Sequence, residues 1–155
     1  MDGQRSLLLQ SAKRHIADPK IFGPGLWFSI HVEALNVMTI EDSSAFIRNT
    51  TNKINFIPCE HCRNHALVYL GKNPINKYGS SADAYFKWSW EFHNYVNVNN
   101  VKPKKPELPE DVAKAIYIGY TNYCVGDCGQ NVSYTGPSKP ELSITFRDYD
   151  KYANY

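Results

Sequence analysis

The stretch Phe56-Ile57-Pro58-Cys59-Glu60-His61-Cys62-Arg63-Asn64-His65-Ala66-Leu67-Val68-Tyr69-Leu70 constrains this chain more than any other. Pro58 suits the first position of a helix, where its missing N–H costs nothing. Cys59 and Cys62 are then three residues apart on one helical face, within reach of a disulfide, and His65 and Ala66 continue that face until Gly71 stops the helix. Both sulfurs fall in the first turn, where unpaired N–H groups and the helix dipole favour negative charge. At least one thiol is therefore expected to ionise below the free-cysteine value of about 8.5. Three readings fit: a thiol redox centre first, half of a zinc site second, buried filler third.

The flanking segments read as helices. Glu41-Asp42-Ser43-Ser44 offers N-cap residues, and Ile47, Thr50, Ile54 and Ile57 share a face that runs into Pro58. A thioredoxin-type Cys-x-x-Cys follows a strand, and no strand pattern precedes Cys59. Upstream, Leu8, Ala12 and Ile16 have helical spacing with Pro19 as a stop, and Phe22-Gly23-Pro24-Gly25 reads as a turn. Trp27, Ile30, His31, Ala34, Leu35 and Met38 then form one helical stripe. Downstream, Ser81 or Asp83 can cap a helix dense in rings and amides. In it Trp88, Phe92 and Val96 make a core row, and His93, Asn94 and Asn97 need either a ligand or solvent to bond. Pro109-Glu110-Asp111 opens a short fifth helix, with Val112, Ala115 and Ile116 inward and Gly119 closing it.

This pattern predicts an all-α domain, a four-helix bundle with a short fifth helix, and bundles place cofactor sites between facing helices. The expected division is an N-terminal extension over 1–22, the helical domain over 23–119, and a tail over 120–155 that carries the pair Cys124 and Cys128. A net charge of +2 gives no pull toward nucleic acid or a membrane surface. Leu7-Leu8-Leu9 is too short for a signal-peptide apolar region, so a cytoplasmic setting is expected, where a Cys-x-x-Cys is more often catalytic or metal-binding than structural.

Three segments together resemble the Erv/ALR family of FAD-linked sulfhydryl oxidases. Gly23-Pro24-Gly25-Leu26-Trp27-Phe28-Ser29-Ile30-His31 is similar to the family's Gly-x-x-x-Trp-x-x-x-His opening, and Pro58 to His65 to its Pro-Cys-x-x-Cys-x-x-His centre. Trp88 followed by His93-Asn94-Tyr95-Val96-Asn97 is similar to its Trp-x-x-x-x-His-Asn-x-Val-Asn flavin motif, and Lys102 lies where many members carry a lysine. The resemblance implies one FAD and a homodimer, with protein dithiols or a thioredoxin-like relay protein as substrate and molecular oxygen as acceptor, giving hydrogen peroxide, and no metal. It implies that Cys59 exchanges with incoming thiols and that Cys62 adjoins the flavin. Gly23, Trp27, His31, His65, Trp88, His93, Asn94, Asn97 and Lys102 would line the cofactor, and Cys124 and Cys128 would serve as a shuttle or a local staple. Pro24 stands where many members carry an arginine, and no cysteine follows shortly after Lys102. Both departures look like the versions found in large DNA viruses, which form disulfides in the host cytosol.

Overall fold

The computed structural model describes residues 15–99 and 107–121. They form five helices: α1 (Pro19–Leu35), α2 (Ile40–Asn55), α3 (Glu60–Lys72), α4 (Ala82–Asn99) and α5 (Glu110–Thr121), with no strand among the described residues. This is the all-α bundle expected from the sequence. α4 is its centre: α1 packs most extensively on it, α5 covers both, and α2 packs on α1 and α3. The burial pattern explains that position, because Tyr85, Phe86, Trp88 and Phe92 of α4 supply the largest fully enclosed side chains and apolar burial is the dominant favourable term in folding.

Two boundaries differ from the sequence reading. Gly23-Pro24-Gly25 is not a turn but lies inside α1, and Pro19 starts that helix rather than stopping one. Asp18 caps it by accepting from the Lys20 N–H at 2.8 Å, and Pro19 in the first turn loses no hydrogen bond. With the start fixed upstream, Pro24 deletes one internal bond, while the inward row of Ile30, His31 and Ala34 holds the helix against α4. Local composition favoured a turn; packing overrides it.

α2 begins one residue before its expected caps. Thr39 is the N-cap, and it forms a reciprocal capping box with Asp42, whose carboxylate accepts from the Thr39 N–H at 2.9 Å. Those backbone bonds, first the one from Met38, hold the Asp42 carboxyl below the usual carboxylate range. The connection from α3 to α4 turns at Gly79, whose φ of 114° is a backbone state that side chains disfavour, and Ser81 then caps α4 by accepting from the Ala84 N–H. In α5 Val112 and Ile116 pack half-buried against the core as expected and Ala113 and Tyr117 are enclosed, while Ala115 is exposed. Tyr117 turns inward because its ring lies over His31 at 4.3 Å.

Candidate thiol–disulfide site

Cys59 and Cys62 form a disulfide with their Cα atoms 5.2 Å apart. Cys59 is itself the N-cap of α3 and Glu60 is the first helical residue, so Pro58 lies one step before the helix rather than in it. The Cys59 sulfur accepts from the Cys62 N–H at 3.2 Å. A thiolate at that position is stabilised more than a thiol, because the same N–H and the helix dipole act on a full negative charge. The backbone leading in is tied twice. Arg63 Nη1 donates to the Ile57 carbonyl at 2.9 Å, and the Ala17 N–H donates to the Pro58 carbonyl. Both sulfurs are half-buried and pack on the core, which leaves each partly reachable.

A second cluster forms where α1 meets α4. Trp27 stacks on His93 with centroids 4.0 Å apart and planes 9° from parallel, and packs edge-on against Phe92. His31 Nε2 lies 2.9 Å from His93 Nδ1, and His31 Nδ1 lies 2.8 Å from Ser89 Oγ. Both histidines are buried. The structure thus brings together Trp27, His31 and His93 from two distant motifs, and adds Ser89 and Tyr117, which the sequence reading passed over. Ser89 had a usable signal: 89, 93 and 97 are four apart and share one face of α4.

Burial pushes the His31 pKa from 6.5 down to about 3. The folded state therefore refuses a proton that the unfolded chain accepts below pH 6.5. His31 leaves stability intact above that value, removes it as pH falls through the unfolded pKa, and adds no further loss below about 3. We expect about 2 kcal/mol of stability to vanish between neutral pH and about pH 5, read as a fall in the urea midpoint that a His31→Gln variant lacks.

The other expected site residues are placed as follows. Gly23 lies in α1 with open space around its Cα. Asn94 is buried and clamps the start of α5, accepting from the Leu108 N–H at 3.3 Å and donating to its carbonyl at 3.2 Å. It also borders a cleft of about 530 Å³ between α3 and α4, a cleft whose walls include Tyr69 and Trp90 but none of Trp27, His31 or His93. Trp88 is fully enclosed and donates from Nε1 to the Asn73 carbonyl at 2.8 Å. The His65 ring lies 4.0 Å from that of its neighbour on α3, His61. Lys102, Cys124 and Cys128 lie outside the described residues.

Three buried side-chain polar atoms among the described residues have no hydrogen-bond partner within the chain: Thr50 Oγ1, His65 Nδ1 and Asn97 Nδ2. Such groups are costly when left unmade. Two of the three belong to the residues named for a flavin, one on α3 beyond the cysteines and one on α4 a turn beyond His93. A ring system bearing both acceptors and N–H donors would satisfy them, so the residues present fit a flavin.

A helical bundle with a Cys-x-x-Cys disulfide capping one helix, and no strand among the described residues, defines a helical thiol–disulfide protein rather than a thioredoxin-type one. The Erv1 / Alr family model matches residues 24–117, and the chain belongs to that family. It is similar to an FAD-linked sulfhydryl oxidase of African swine fever virus (isolate Warthog/Namibia/Wart80/1980), 36% identical over 87 residues that cover 54% of this chain and 70% of the relative. It is also similar to the protein of that name from isolate Pig/Kenya/KEN-50/1950, 34% identical over 79 residues, 49% of this chain and 65% of the relative. A third relative, from Invertebrate iridescent virus 6, is named as a candidate FAD-linked sulfhydryl oxidase and is 32% identical over 111 residues, 63% of this chain and 92% of its own length.

Proposed function

We propose that this chain is an FAD-linked thiol oxidase that makes disulfides in substrate proteins through Cys59 and Cys62. The observation that carries this reading is the disulfide seated on the N-terminus of α3, in a chain of the Erv1 / Alr family.

The exchange follows from the position of the two sulfurs. A substrate thiolate attacks the Cys59 sulfur at the mouth of the helix, forming a mixed disulfide and breaking the Cys59–Cys62 bond. Cys62 leaves as a thiolate, the third residue of the helix, where its charge is stabilised by the N-terminal field. The substrate's second thiolate then attacks its own linked sulfur, so the product leaves as a disulfide and Cys59 as a thiolate. Two electrons now reside on the chain's dithiol. A flavin held beside Cys62 would supply the two-electron acceptor for this dithiol, with molecular oxygen as the final acceptor and hydrogen peroxide as its product.

Trp27, His65, His93 and Asn97 would hold the flavin, a reading supported by the stacked Trp27–His93 pair and the orphaned His65 and Asn97 atoms. Gly23, His31, Trp88, Asn94 and Lys102 join them on the family resemblance, and Cys124 and Cys128 are the candidate shuttle for protein substrates. We assign a homodimer. The homodimer rests on the family resemblance. Work in the host cytosol or virion, on protein dithiols or a thioredoxin-like relay, belongs to the same proposal and rests on the family resemblance.

The purified chain should be yellow, keep stoichiometric FAD through gel filtration and chelator treatment, and consume oxygen when given a small dithiol. Folded protein that is colourless, takes up no added FAD and consumes no oxygen would end this reading.

A further inference from the structure

The connection between α2 and α3 brings opposite helix ends together. α2 closes at Asn55 and α3 opens at Glu60, so the negative end of one dipole meets the positive end of the other across Phe56 to Cys59. Arg63 is the fourth residue of α3, and its N–H donates to the Cys59 carbonyl at 2.8 Å. The two residues are i and i+4 neighbours, and a helical side chain lies over the turn before its own. The guanidinium follows that course, because Nη1 donates to the Ile57 carbonyl at 2.9 Å, two residues ahead of Cys59. The cation is therefore drawn back across the turn that carries both sulfurs, and it is half-buried there.

No carboxylate accounts for that placement. Glu60 stands three residues before Arg63, close enough for a helical pair. Yet the ion pairs formed among the described residues are Lys53 with Glu33, Lys77 with Glu91 and Lys114 with Asp83, and Arg63 joins none of them. The closed disulfide is neutral, whereas opening it puts negative charge on sulfur in this same turn. We infer that Arg63 is a positioning residue for the exchange: its bond to the Ile57 carbonyl holds a fixed positive charge over Cys59, which favours the thiolate form of the pair over the disulfide. The step it assists is the second one. The substrate's second thiolate bonds the sulfur already linked to Cys59, the mixed disulfide breaks, and its electron pair departs on Cys59. A leaving thiolate that is better stabilised leaves faster, and a couple whose reduced form is stabilised is the stronger oxidant of substrate thiols.

The equilibrium between the Cys59–Cys62 disulfide and glutathione tests this. It is measured on the full FAD-loaded chain under nitrogen at neutral pH, by alkylating free thiols and weighing the peptide that bears both cysteines. Arg63→Met and Arg63→Gln are both neutral, and each should make the pair harder to reduce on the order of tenfold, about 30 mV for a two-electron couple. Arg63→Lys keeps the charge, and the single Nη1 bond is not the bidentate kind that only arginine makes, so it should stay within about threefold of wild type. A clamp on the loop alone would act equally on the oxidised and reduced chains and leave the constant unmoved, since an equilibrium shifts only by a difference in interaction with its two states. Either neutral variant, folded and with a constant within about twofold of wild type, overturns the inference. So does Arg63→Lys falling as far as the neutral pair. The inference rests on the proposed exchange at Cys59 and Cys62, but the equilibrium can be read without flavin. A chain that shows the charge effect yet takes up neither FAD nor oxygen refutes the oxidase reading alone, and one that oxidises dithiols with an unmoved constant refutes this inference alone.

Discussion

Serine at either Cys59 or Cys62 is expected to cut oxygen uptake with a small dithiol by on the order of a thousandfold or more, since each exchange step needs a sulfur that can be attacked and expelled. The loss should be one of chemistry and not of fold. The disulfide closes only a single helical turn, and releasing so short a loop costs at most about 2 kcal/mol on the chain-entropy estimate. Cys59 also caps α3 through its sulfur, and serine is among the better N-cap residues, so Cys59→Ser retains that function. Urea unfolding should shift by no more than this amount, and the variants should keep their flavin. Turnover within tenfold of wild type in either variant would show that electrons enter by another route.

The elements that were legible in the sequence are those whose own apolar spacing fixes the buried face. α2 shows this with Thr50 and Ile54, and α4 with Trp88 and Phe92, all buried as the periodicity requires. The pairing of Trp27 and His31 with His93 became legible only because three motifs occur in order; no local pattern places α1 on α4. What escaped was set by tertiary contacts. The Gly23-Pro24-Gly25 segment has turn composition, and its helical state comes from the Asp18 cap before it and the buried row after it. Tyr117 was hidden because Val112, Ala115 and Ile116 make a good stripe on paper; Val112 and Ile116 do pack half-buried on the core, but Ala115 is exposed and the enclosed positions are Ala113 and Tyr117, the latter against the ring of His31. Ser89, small and placed between two tryptophans, shares a face with His93 and Asn97, but its partner is the imidazole on the other helix, which that spacing alone does not name.

The candidate site shows the same division. His93 and Asn97 were open to two accounts, a solvated face or a ligand-facing one, and near-complete burial removes the first. Asn94 sits beside them in the motif yet bonds the Leu108 backbone on both sides, so one short motif both borders the imidazole cluster and anchors the last helix. That double duty explains why amides occupy the middle of a helix, where their intrinsic preference is poor. Each one gains a specific partner or awaits one.

Trp88→Ala is expected to be the most destabilising single change, by about 4 kcal/mol, within the range for emptying a buried tryptophan site. The side chain is fully enclosed and packs against Phe92 at 5.4 Å and Tyr69 at 6.2 Å. Its Nε1 proton holds the Asn73 carbonyl, where α3 ends and the loop toward α4 begins. Removing it opens a cavity and orphans that carbonyl, two penalties on a domain whose total stability is expected to be only about 5–15 kcal/mol. Trp88→Phe separates the two. It keeps most of the volume and loses the indole bond, and a cost of about 1–2 kcal/mol is expected, measured from the urea midpoint by far-ultraviolet circular dichroism. Flavin content measured in the same samples distinguishes the two roles open to this residue. If Trp88 works only as core, flavin is lost in step with folded protein in both variants. If its ring is also a wall of the cofactor site, Trp88→Phe releases flavin from a chain that is still folded.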